Sequence, residues 1–249
     1  MTDCTERYEK QITVPVFGEE GQRKLASAKV AIIGVGALGC FSSQYLIRMG
    51  IGQLRIADGD TVSFANLHRQ IVFSEKDAVQ ATPKVDAAVR ELRRFQKDAR
   101  ILGVRNMITR ENIADFVADS DLILDATDSM PTRFVINDFA VRRNVPWIYT
   151  GVAGTEGIVM PIIPGIGPCL RCLFPDEPDA SQVANCKQNG ILPITPGFAV
   201  SIQIAQAIRI LLGTVTPGIM IRFSVWDGVA RSIRVSRNAH CPVCHSLRP

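Results

Sequence analysis

Four of the seven cysteines in this 249-residue chain stand in two Cys-x-x-Cys pairs, Cys169 with Cys172 and Cys241 with Cys244. Together the pairs supply four thiolates suited to tetrahedral zinc, and four sulfur ligands leave no position open for water. The expectation is therefore a structural Zn2+ that clips the carboxyl-terminal stretch to the middle of the chain. A redox Cys-x-x-Cys would not need the second pair. Of the remaining cysteines, Cys40 falls in the first turn or so of a buried helix and is expected to be packing, and Cys4 has no pattern around it. Cys186 lies in a polar stretch just before Gly190 and a proline-rich turn that leads into an apolar helix. A thiol near a helix start can have its anion stabilised, which makes Cys186 a candidate acyl acceptor, with an exposed bystander thiol as the equal alternative. His68, His240 and His245 form no cluster by spacing, and nothing suggests the serine and histidine pairing of a hydrolase.

A second group of residues points to phosphate. The apolar run Val30 to Ile33 leads into Gly34-Val-Gly36-Ala-Leu-Gly39 and then a helix over residues 37–49. Gly34 would allow the tight turn, Gly36 would let a phosphate approach the backbone, and Gly39 would let the helix pack on its strand, with free amides facing the anion. Asp58 closes the next apolar run about 20 residues on, where such a unit keeps the acid that hydrogen-bonds a ribose. An ordinary strand-to-helix turn is the plain alternative, and the loop with Asp58 alone would also allow a dinucleotide oxidoreductase. Further polar residues fall on loops or helix starts at the carboxyl edge of the same sheet: Asp58, Asp60, Asn66, Arg69, Gln70, Lys84 and Asp128. Arginine and lysine there would hold a polyphosphate and an acid would hold Mg2+, which leans the reading towards a nucleoside triphosphate.

The elements that must position these groups alternate. Residues 1–28 are expected to form a helical lead-in, with a turn over Gly18 to Gly21 and a short helix over 22–26. Apolar runs at Val30, Leu54, Ile101, Asp121–Ala126 and Trp147–Thr150 separate helices at 37–49, from Thr82-Pro83 onward, and at about 131–143. That alternation predicts an α/β fold with a doubly wound, mainly parallel, Rossmann-like sheet. After Gly151 come a strand at 157–163, a polar loop at 176–188, a buried helix at 198–212, and a hairpin of 219–225 and 229–235 turned at Asp227-Gly228. The expected organisation is one domain: lead-in 1–28, nucleotide-binding core 29–150, and a C-terminal antiparallel extension with the zinc region over 151–249.

Composition narrows the classes. An apolar content of 47% is ample for a sizeable core, and a net charge of +4 with scattered basic residues does not suggest nucleic acid as a partner. No 18-residue apolar run and no apolar leader are seen, so a cytoplasmic protein without a membrane partner is expected.

With these motifs in order, the chain resembles the MoeB/ThiF/HesA adenylyltransferases, relatives of the ubiquitin-activating enzymes. The resemblance rests on Arg7-Tyr8 with Gln11, the glycine loop, Asp58-Gly-Asp60-Thr-Val, Asn66-Leu-His-Arg69-Gln70, Lys84, Thr127-Asp128, Arg133 with Asn137-Asp138, both cysteine pairs, and Cys186 four residues before Gly190. It implies a homodimer that uses ATP·Mg2+ to adenylate the C-terminal glycine of a small ubiquitin-like sulfur carrier ending in Gly-Gly, releasing pyrophosphate. By position, Asp58 would hold the ribose, Arg69 and Lys84 the phosphates, and Asp128 the magnesium, with Asn66 assisting. Arg7 would reach the partner's ATP, and Cys186 matches the position that in some relatives takes the activated acyl group or a sulfur. Ala65 and Ser129 replace the usual serine and asparagine, and the stretch 191–197 replaces a more glycine-rich segment. No rhodanese domain is appended, so a separate donor is expected to bring the sulfur. A peptide terminus or a tRNA base as the adenylated substrate, and a catalytically silent zinc-stabilised binding protein, stay open as alternatives.

Overall fold

The structure is a computed structural model, and it describes residues 4–97, 99–177 and 189–245. Eight strands form one sheet in the order β3-β2-β1-β4-β5-β6-β7-β8. The first five, β1 (Lys29–Ile33), β2 (Gln53–Ala57), β3 (Arg100–Val104), β4 (Leu122–Asp125) and β5 (Trp147–Ala153), run parallel. They are followed by the antiparallel strands β6 (Glu156–Ile162), β7 (Ile219–Ser224) and β8 (Val229–Arg234). The expected doubly wound sheet and its antiparallel extension are thus one continuous surface. The chain reverses direction at Gly154, which holds φ +58, so β5 and β6 form a hairpin that the sequence reading had separated.

Continuous apolar runs made the inner strands because both of their faces are covered. All four residues of β4 are buried, and alternate side chains of β1 feed two cores. Val30 and Ile32 pack with α3 (Ala37–Met49), α5 (Lys84–Phe95) and the long helix α9 (Ile194–Leu212). Ala31 and Ile33 pack with α6 (Ile113–Val117), α7 (Met130–Arg142) and α8 (Leu170–Leu173).

Several expectations on elements need correction. Gly18 to Gly21 is not a turn but the first turn of α2 (Gly18–Ser27), preceded by α1 (Cys4–Ile12). The helices α4 (Glu75–Val79) and α6 were not foreseen. The last helix begins at Ile194 rather than 198, since a proline at position 196 lies in the first turn, where its missing N–H has no helical partner to lose. Nor is that helix buried all round: one face packs on α3 and the sheet, while Ile194 and Phe198 are exposed. Among the described residues it is the one helix long and apolar enough to cross a membrane by length and composition.

Candidate functional site

The three loop glycines are each required by the backbone around them. Gly34 has φ +97, and a Cβ there would lie 2.5 Å from the Ala126 carbonyl oxygen. A Cβ on Gly39 would lie 2.1 Å from the Gly34 carbonyl oxygen, so the start of α3 rests directly on the loop. Gly36 is the N-cap of α3, and an added Cβ there would meet Nε2 of Gln70 at 3.8 Å, an ordinary contact. The amides at the start of α3 are of the kind that can receive an anion. Asp58, 8% exposed, is fastened to this loop: its Oδ2 accepts from the Val35 amide at 2.7 Å and its Oδ1 from the Asp60 amide at 2.8 Å.

The 60–84 segment folds back on the same edge. Asp60 accepts from Nζ of the buried Lys84 at 2.8 Å, and its carbonyl accepts from the Lys84 amide at 3.0 Å. Lys84 is the first residue of α5, with Pro83 as its N-cap and no side-chain cap from Thr82. Asn66 ends a single 3-10 turn (Phe64–Asn66), where its Oδ1 accepts from the Ser63 amide at 3.0 Å. Arg69 is half-buried, and its Nη1 donates to the Ala65 carbonyl at 2.7 Å. Gln70 is buried beside Gly36, and its Oε1 finds no hydrogen-bond partner among the described residues. Cys40 is buried as expected, and burial pushes its thiol up to about 12, which leaves it unreactive.

Asp128 is exposed on the turn after β4, but the residues beneath it are buried and heavily bonded. Asp125 Oδ1 accepts from the Thr127 amide and hydroxyl, both at 2.9 Å, and its Oδ2 accepts from Nε of Arg133 at 2.9 Å. Arg133 Nη2 donates to the Thr127 carbonyl at 2.7 Å and to the Thr150 carbonyl at 2.9 Å. Burial opposes the Arg133 charge, yet the charge and hydrogen bond of Asp125 together with Tyr149 and Asp128 outweigh it and hold the Arg133 pKa above the ordinary value. Gln203 of α9 donates to the Asp125 carbonyl and to Oγ1 of Thr150, both at 2.8 Å, and accepts from Ser42 of α3 at 2.6 Å. Sequence reasoning missed Asp125, Thr150, Gln203 and Ser42. The available signals were an acid closing a buried strand and an amide inside an apolar helix.

The four paired cysteines converge. Their sulfurs all lie within 4.8 Å of one another, with Cys169 to Cys172 at 4.0 Å and Cys169–Cys241 and Cys172–Cys244 each at 3.5 Å. Four ligands at tetrahedral zinc would sit about 3.8 Å apart for Zn–S bonds of about 2.3 Å, so the donor set fits. The hydrogen bond shared between Cys169 and Cys172 holds the Cys169 thiol high and lowers that of Cys172. The cluster is tied to α7: the Leu170 amide donates to Asn137, and Arg171 forms two bonds, at 2.7 and 2.8 Å, with Asp138.

One expected site residue, Arg7, is not brought to this edge. Arg7 is exposed on α1, next to Tyr8, whose ring lies against Gly50 at the end of α3 remote from the loop. At 1.5 Å per residue that end is roughly 20 Å from Gly36. Cys186 lies outside the described residues.

Residues 8–243 match the ThiF family. The chain belongs to the ThiF family. It is 34% identical to the SAMP-activating enzyme E1 of Haloferax volcanii over 96% of this chain and 88% of that one. It is 35% identical to the Bacillus subtilis sulfur carrier protein ThiS adenylyltransferase over 96% of this chain and 71% of that one. A Thermus thermophilus sulfur carrier protein adenylyltransferase is 33% identical, with 96% and 90% covered. These relatives bear out the resemblance to MoeB/ThiF proteins and make the chain an adenylyltransferase of that family. Among solved structures, Escherichia coli MccB with ATP superposes with a TM-score of 0.81 at 23% identity, covering 96% of this chain and 75% of that one, a likeness of fold.

Proposed function

We propose that this ThiF-family enzyme uses ATP to adenylate the C-terminal glycine carboxylate of a small ubiquitin-like sulfur-carrier protein ending in Gly-Gly. A carboxylate oxygen bonds to the α-phosphorus as the bond to pyrophosphate breaks, giving an acyl adenylate ready for sulfur transfer. The observation that carries this reading is the fastening of Asp58 to the glycine loop by its bond to the Val35 amide, with Lys84 and the Asp128 turn on the same sheet edge. A cofactor that stays needs no second acid beside its phosphates, whereas a triphosphate that is cleaved needs charge neutralised as it leaves. The relatives' names support the choice of substrate.

In this reading Gly34, Gly36 and Gly39 shape the phosphate site, Asp58 binds the ribose, and Arg69 and Lys84 carry the phosphates. Asp60 steadies Lys84, Asn66 and Gln70 line the loop opposite, and Asp128 offers a carboxylate to Mg2+, which when bound would neutralise phosphate charge. Arg7 serves the ATP of a second copy in a homodimer. Its distance from the loop of its own chain supports that role. Residues 29–150 form the nucleotide core, and 151–249 hold the carrier surface and a structural Zn2+ on Cys169, Cys172, Cys241 and Cys244. Cys186 takes part, if at all, after adenylation, the sulfur comes from a separate donor protein, and the work is done in the cytoplasm.

The test is exchange of labelled pyrophosphate into ATP, with and without carriers that end in Gly-Gly. Exchange that depends on the carrier is expected, with loss of about 100-fold or more for Asp128→Ala and retention for Cys186→Ala. No exchange with any such carrier defeats the reading, and loss of exchange in Cys186→Ala defeats the order of steps.

A further inference from the structure

The buried cluster beneath Asp128 does something that packing alone does not require. Asp125 is fully buried and Arg133 nearly so, and an ion pair taken out of water is rarely more stable than apolar side chains of the same volume. What the pair accomplishes is geometric. Every polar main-chain group from the Asp125 carbonyl to the Thr127 carbonyl, except the Ala126 carbonyl packed against Gly34, has a hydrogen-bond partner. The Asp125 carbonyl accepts from Gln203, the Ala126 amide donates to Ile33, the Thr127 amide donates to Asp125, and the Thr127 carbonyl accepts from Arg133. The next residue is Asp128.

Gln203 is the keystone of this arrangement. It is fully buried and its three bonds reach three elements: Ser42 in the helix that starts at the glycine loop, Asp125 at the end of β4, and Thr150 in β5. Leucine would fill a similar space, yet would deprive the buried Asp125 carbonyl and the Thr150 hydroxyl of this donor and leave Ser42 only its bond to the Leu38 carbonyl. Local rules are broken in this way mainly where function demands it.

We propose that Gln203, acting through Thr150 and the Asp125–Arg133 pair, is a positioning residue that fixes the Asp128 carboxylate relative to the glycine loop. The proposal rests on the adenylation reading in one respect, the assignment of Asp128 to the magnesium of ATP. It assigns no contact between Gln203 and substrate. Because Gln203 joins α3 to β4 and β5, it adds a side-chain tie to the main-chain contacts, the Ala126 amide to Ile33 and the Ala126 carbonyl against Gly34, that already hold this turn beside the phosphate cradle.

The experiment uses the full chain with a Gly-Gly-ending carrier and compares Gln203→Leu, Thr150→Val and Thr150→Ser. Thr150→Val keeps the shape and removes the acceptor, so it remains informative if Gln203→Leu fails to fold. Expected for both disruptive variants is a rise of about 10- to 100-fold in the Mg2+ concentration for half-maximal pyrophosphate exchange, with a fall in kcat. ATP binding measured by calorimetry in EDTA should stay unchanged, and Thr150→Ser should restore the wild-type magnesium requirement. A purely structural role would lower the melting temperature and weaken metal-free ATP binding in step, and that result overturns the proposal. An unchanged magnesium requirement in folded Thr150→Val also overturns it while leaving the adenylation reading intact. Absence of exchange in the wild-type chain removes both.

Discussion

At the scale of single residues, the strictest constraint in the nucleotide site is steric. A methyl group on Gly39 would stand 2.1 Å from the Gly34 carbonyl, a backbone atom that cannot swing aside. Gly39→Ala is therefore expected to be more damaging than Gly36→Ala, whose added carbon meets only the end of Gln70 at 3.8 Å. Thermal melting should separate the two, with Gly39→Ala lower by several degrees, while ATP titration should show Gly36→Ala folded but weakened for nucleotide. Equal melting temperatures would contradict the account. The glycines and Asp58 were legible because their spacing is local and encodes one strand-turn-helix unit. Gln203 was not, since its partners lie 161 and 78 positions away and an amide in an apolar helix carries no spacing rule.

At the scale of elements, legibility followed length and period. The 13-residue α3 and the continuous apolar β4 could be read to within a residue, whereas α4 and α6, five residues each, are too short for a 3.6 period to show. What holds α4 is a capping box and a charge. Asp77 is buried, and although burial raises a carboxyl, its bonds from Ser74 and the Arg90 ion pair outweigh that and hold its pKa below the ordinary value. A carboxyl depressed in the folded state adds stability above its unfolded pKa, about 3.9, and loses it as pH falls through the folded value. Wild type should thus lose more melting temperature than Asp77→Asn between pH 5 and pH 3, and parallel curves would refute the assignment. The proposed zinc clip belongs to this scale as well. Stripping the metal should loosen α8 and the residues around Cys241, because a structural zinc can contribute roughly 10 kcal/mol of folding free energy. Faster hydrogen exchange confined to those segments, spreading into α7 through Asp138, is the expected signature, and an unchanged exchange map after verified metal removal would exclude it.

At the scale of the whole molecule, the fold class could be read from the alternation of strands and helices, but the place of Arg7 within its own chain could not. Only the structure places α1 at the far end of α3 from the loop. If Arg7 completes the site of a second copy, Arg7→Ala and Asp128→Ala are each inactive alone, and co-refolding equal amounts should recover roughly a quarter of the wild-type exchange rate. Half of the dimers would be mixed, and each would hold one complete site. Failure to complement, with both variants dimeric, would assign Arg7 to its own chain.

The clip also sets how much sequence the fold can absorb. Cys169 and Cys241, like Cys172 and Cys244, are 72 positions apart, so a metal held by the proposed clip would close a long chain loop. The entropic cost of such a closure grows only with the logarithm of its length, about 0.6 kcal/mol for each doubling. A whole extra module inserted at the exposed Pro175 to Glu177 would therefore tax the closure hardly at all. The architecture is one that can acquire new parts between its metal ligands without redesigning the site that binds nucleotide.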